Sequence, residues 1–216
     1  MSIRFLTEEQ QQSYGRYVGD PTPVQLARYF HLDDTARQLV NQRRGDHNRL
    51  GFAIQLCTVR FLGTFLTNPI DVPPVVVAAL TAQLDITNKS CLPRYLERPT
   101  THWEHAQAIK LHYAYRDFSE QPYHWRLVRW LYERAWVSDE SPSILFDLTT
   151  AQLVENKILL PGVSVLVRLI SSVRERVAKR LWLLLSKLPN AEQTNQLEAL
   201  LFVNEKTRQT LLEQLR

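Results

Sequence analysis

From Leu50 to Leu62 the chain is apolar except at Gly51, Gln55, Thr58 and Arg60, and this run limits the folds open to it. Leu50, Ala53, Ile54, Cys57 and Phe61 repeat at the three-to-four spacing of an α-helix. Phe52, Leu56 and Val59 widen the stripe well past a single face. A helix apolar on most sides must be enclosed by other elements, so the segment predicts the central helix of an all-α bundle. Just before it, Gly45 supplies a turn because glycine takes positive φ freely, and Asp46 or Asn48 is expected to cap the helix. Arg49 and Arg60 stand eleven residues apart, close to a whole number of turns, and so point the same way.

Helical signals continue on both sides. Thr7 ahead of Glu8-Glu9-Gln10 predicts a short helix to about Tyr14, and Pro23 opens another through Phe30. Asp33 or Asp34 caps a third, with Ala36, Leu39 and Val40 inward and Arg43-Arg44 at its end, where cations suit the helix dipole. The second and third helices are joined tightly enough to resemble a helix-turn-helix in outline. A loop with Asn68-Pro69 and Pro73-Pro74 precedes a helix to about Leu84. Residues 88–100 are polar, contain Pro93 and Pro99, and are expected to form a linker.

A second helical block follows. Trp103, Ala106, Ile109 and Tyr113 define an amphipathic helix from Thr101 to Tyr115, and Pro122 opens the next. Thr149 is expected to cap a short helix to Lys157. After the break at Leu160–Val163 the longest helix runs from Ser164 to about Leu188, and a last one from Ala191 to the C-terminus. The architecture expected is two small helical bundles with helix-turn-helix-like elements, residues 1–87 and 101–216, joined by the Pro-containing linker 88–100.

Charge separates the possible partners. Lys and Arg number 26 against 22 Asp and Glu, a net of +4, but the excess is local. Arg37 to Arg60 holds five cations and one acid; Lys157 to Lys187 holds seven and one. Phe61 to Asn88 has no cation at all. Two basic clusters across a cation-free spacer suggest two contact surfaces for an acidic partner. Arg43, Arg44, His47, Asn48 and Arg49 combine phosphate-binding and base-reading side chains within one turn and helix start, with Arg60 on the same side. Arg126 and Arg129 lie toward the polar side of their helix. Arg174, Lys179 and Arg180 form a polar strip opposite Leu166, Ile170, Val173 and Val177; such a strip is more commonly a solvated face beside a core. Trp125, Trp130 and Trp136 are spaced for a core rather than for stacking on bases.

Catalytic and metal chemistry find little support. His102 and His105 share a helix face and His112 follows, but no cysteine or carboxylate is placed to close a tetrahedron around a metal. Cys57 and Cys91 give no metal framework, and Cys57 reads as a core thiol in a reducing cytosol. Phosphate-cradling glycine loops and nucleophile elbows are missing. The expectation is a protein without catalytic residues or cofactor, without a small-molecule substrate and without membrane contact, working in the cytoplasm.

Three stretches carry a resemblance: Arg43 to Gly63; Tyr95-Leu-Glu-Arg-Pro-Thr-Thr-His-Trp-Glu-His105 with Tyr115-Arg116-Asp117-Phe118; and Ile158 to Ile170. In that order they resemble the N-terminal region of the large replicative transposases of class II bacterial transposons, the Tn3 family. The resemblance implies double-stranded DNA as partner, namely the terminal inverted repeats of a transposon, with association at the nucleoid. It also implies strand cleavage by acidic residues and a divalent metal in a later domain to which no position here corresponds. The alternative is a module that assembles transposase subunits. That reading draws on the apolar helix from Val163 to Leu188 and on the leucines after it.

Overall fold

The computed structural model describes residues 5–203 and 208–214, and every named element is helical. Two capping boxes open the chain: Thr7 with Gln10 starts α1 (Glu8–Ser13), and Thr22 with Gln25 starts α2 (Pro23–Tyr29). Asp33 accepts from the Ala36 amide to start α3 (Asp34–Asn41). The central helix α4 (Asp46–Leu62) buries every residue from Leu50 to Val59. Its N-cap is Gly45, with no side-chain cap. Asp46 is already helical, and Asn48 turns back to donate to the Arg44 carbonyl at 2.9 Å. Neither fills the capping role expected of it.

Around α4 pack α2, α3, α5 (Pro74–Gln83), a 3-10 helix (Lys89–Leu96) and α6 (Pro99–Tyr113). The Pro-containing stretch expected as a linker is therefore part of the first core: Cys91, Leu92 and Tyr95 are buried there, and Ile109 of α6 joins them. Proline is tolerated because the segment winds as a 3-10 helix and because Pro99 stands in the first turn of α6, where its missing N–H costs nothing.

The second core lies between α7 (Tyr123–Val137), α8 (Pro142–Glu155) and α9 (Val163–Leu185), built on Leu131, Leu145, Leu153, Leu166 and Ile170. Leu6 also belongs to it, Tyr14 lies 5.2 Å from Phe146, and Ser143 donates to the Phe5 carbonyl. The N-terminal stretch thus packs with the C-terminal core, and the division at 87–101 does not follow the packing. Thr149 does not cap a helix. It lies buried inside α8, its hydroxyl on the Leu145 carbonyl.

The cores meet backbone to backbone. Gly63 ends α4 at φ 72°, and its carbonyl accepts from the Leu160 amide at 2.9 Å. A Cβ on Gly63 would stand 2.7 Å from Val154 Cγ2. Beside it Arg116 exchanges hydrogen bonds with Lys157 and Leu159. Beyond α9 come α10 (Ala191–Ala199) and α11 (Leu211–Gln214); part of the single terminal helix expected there lies outside the described residues, and the described part is broken.

Candidate nucleic-acid interface

Arg43 and Arg44 follow the last turn of α3, and Gly45 at φ 79° turns the chain into α4. Arg43 lies over the Phe52 ring at 4.6 Å, which aims its guanidinium along the bundle surface, while Arg44 is exposed. His47 and Asn48 occupy the first turn of α4. They line a polar groove of about 320 Å³ whose other wall is Arg94, Tyr95, Glu97, Arg98 and Thr101. Arg94 and Arg98 are exposed, and the Arg94–Glu97 pair at 3.5 Å is too solvated to neutralise the wall. Both α4 and α6 begin without a side-chain cap at this groove, so amide N–H groups add to its positive potential.

Sequence reasoning missed Arg94 and Arg98 because they lie in the supposed linker. Their signal was present: two arginines four residues apart, flanking an aromatic.

The groove wall is held by a buried polar network. Tyr95 is 1% exposed, and its hydroxyl bonds Gln55 Nε2 and, at 2.9 Å, His105 Nδ1. Gln55 also donates to the His102 carbonyl at 3.2 Å. The Tyr95 ring lies directly over Gly51, where any side chain would enter its van der Waals volume. Burial, with the Arg43 charge second, pushes His105 down to about 4. Burial likewise raises the Tyr95 hydroxyl above its ordinary value. Both stay neutral at pH 7.

The unfolded chain binds a proton at His105 below about pH 6.5 while the folded chain refuses it until about pH 4. Stability from this residue is therefore complete above pH 6.5 and declines as pH falls, by about 3 kcal/mol at pH 4. Urea unfolding of wild type and His105→Gln across pH 4–7 checks this. The difference between them should narrow toward pH 4, and a constant difference would exclude His105 as its source.

The other expected contacts are more engaged. Arg49 donates to Asp46, Asn41 and the Leu84 carbonyl, and Arg60 donates to the His31 carbonyl and lies over Tyr113 at 5.0 Å. These two tie α4 to its neighbours. Arg129 pairs with Glu133 and Lys179 with Glu175, each at 2.7 Å; Arg174 donates to the Glu140 carbonyl. Arg126 rests by the Tyr123 ring, 5.5 Å from its centre, and Arg180 is exposed. The structure brings Arg43, Arg44, His47 and Asn48 together with Arg94 and Arg98. It does not bring the second cluster to the same place.

Among the described residues no group of three or more metal-ligating side chains occurs, and no helix is long and apolar enough to cross a membrane. Cys57 and Cys91 are both buried free thiols, and burial pushes Cys57 up to about 12.

Residues 5–173 match the family model described as a domain of unknown function (DUF4158). The whole chain is 51% identical to the transposase for transposon gamma-delta of Escherichia coli strain K12, of which it covers 22%. Over 91% of its length it is 30% identical to the transposase for transposon Tn1546 of Enterococcus faecium, covering 19% of that protein. Over 73% of its length it is 33% identical to the transposase for transposon Tn501 of Pseudomonas aeruginosa, covering 16%. The chain spans about a fifth of the length of these curated relatives.

Proposed function

We propose, because the chain belongs to the DUF4158 family and is similar along its whole length to a transposase, that it binds double-stranded DNA in a sequence-dependent way at transposon ends. The observation that carries this reading is the groove between the starts of α4 and α6, where Arg94 and Arg98 face His47 and Asn48 beside Arg43 and Arg44. In this reading Arg44, Arg94 and Arg98 hold phosphates and fix the register of the duplex. His47 and Asn48 offer hydrogen bonds to base edges, asparagine to adenine above all. Arg126, Arg129 and Arg180 are exposed cations that would lengthen the phosphate contact, while Arg49, Arg60, Arg174 and Lys179 act first within the fold. The chain contributes recognition, and strand cleavage with its metal is assigned to regions of the transposase that the chain does not match.

The test is a titration at fixed physiological salt against a transposon-end duplex and a scrambled duplex of equal length. Preference for the end sequence by a hundredfold or more is expected, within the ordinary range of specific over non-specific binding. Equal and weak affinity for both would reject sequence-dependent recognition and leave only a basic surface.

A further inference from the structure

After Val177 the structure changes character. Between Trp182 and Leu212, eleven large apolar side chains are 42% to 75% exposed. At roughly 100 Å² for a fully exposed side chain of leucine size, they leave on the order of 600 Å² of apolar surface open. That is the most a monomer ordinarily shows, and it approaches the ~800 Å² that each partner contributes to a stable interface. Leu188, Pro189, Leu197 and Leu200 also line a groove of about 620 Å³ between the end of α9 and α10.

We infer that a second copy of this chain covers this surface, the two pairing α9 end to α10 about a two-fold axis. Three observations select a copy over another occupant. First, the surface complements itself in charge: from Arg174 to Lys187 there are five cations and one acid, whereas Ala191–Ala199 carries Glu192, Glu198 and no cation. In an isologous pair each basic segment meets the partner's acidic one, twice. Second, the end of α9 is apolar around its circumference: Trp182, Leu183, Leu184 and Leu185 are successive and all exposed. One flat partner would cover one side of such a helix, while the four-helix arrangement formed by two copies of α9–α10 encloses it. Third, the exposed area matches what a dimer contact needs. The inference goes beyond DNA recognition and does not depend on it, since the groove bearing Arg94 and Arg98 lies on the other core.

Sedimentation velocity of the full 216-residue chain without DNA tests it. A concentration-dependent shift to twice 25.2 kDa is expected, with no larger species. Leu184→Arg with Leu188→Arg, both at exposed positions, should raise the dissociation constant at least a hundredfold and leave helical circular dichroism unchanged. Glu198→Arg alone should weaken the dimer about tenfold, and adding Arg180→Glu should recover most of that loss. A chain monomeric to 100 μM (about the upper end of the test) would overturn the inference. So would open-ended growth past the dimer, or a dimer indifferent to the paired leucine substitutions. In none of these variants is the DNA groove altered, so the duplex titration reports separately on recognition.

Discussion

Gly51→Ala is expected to destabilise the protein by about 3 kcal/mol or more, at the upper end of what overpacking a core costs. The position has no slack. A methyl group there enters the volume of the Tyr95 ring, which is itself 1% exposed and tied through its hydroxyl to Gln55 and His105. The ring cannot retreat without breaking those bonds inside the core, and a buried polar group left unpaired adds its own penalty. The same displacement moves the 3-10 segment that carries Arg94, so the folded fraction of the variant should also bind duplex DNA more weakly. Urea denaturation measures the first effect and titration below the unfolding transition the second. A variant as stable as wild type would mean that the 3-10 helix is free to leave α4.

Removing the cations of the groove should have the largest effect on binding. The triple substitution Arg44→Ala, Arg94→Ala, Arg98→Ala is expected to lower affinity for duplex DNA at least a hundredfold at physiological salt. Each phosphate left without its arginine should flatten the dependence of log K on log salt by about 0.9, so roughly 2 to 3 for all three. Helical circular dichroism should not change. The three side chains are exposed, and the one ion pair among them, Arg94 with Glu97, is too solvated to matter to the fold. Unchanged affinity or an unchanged salt slope in this folded variant would remove the groove from the interface.

Much of the fold was legible in local sequence. The central helix stood out because its apolar residues exceed one face, and Thr7, Thr22 and Asp33 cap where short polar residues precede helical runs. What could not be read was contact between distant segments. Residues 88–100 have the proline and polarity of a linker, yet Tyr95 is buried because Gly51 leaves room for its ring. No local period carries that information. The candidate site divided in the same way. Arg43 to Asn48 form one continuous stretch and were visible as such, whereas Arg94 and Arg98 join them only through the packing of the 3-10 helix on α4. Arg49 and Arg60 match a basic strip by spacing alone, but the carbonyls of Leu84 and His31 needed donors, and these arginines supply them.

The long helix α9 has one further consequence. Its first half is anchored by Leu166, Ile170, Val173 and Val177, and its last turns extend past the core. From Ala178 to Leu185 that free length is about 12 Å. It is a cantilever with its root in the second core. The root is set against the first core by peptide groups at Gly63 and Leu160, where no rotamer can absorb a displacement. A small tilt imposed on one core therefore reaches the tip of the arm enlarged by leverage. Whatever load the groove takes up is delivered, as a change of angle, to the leucines at the far end.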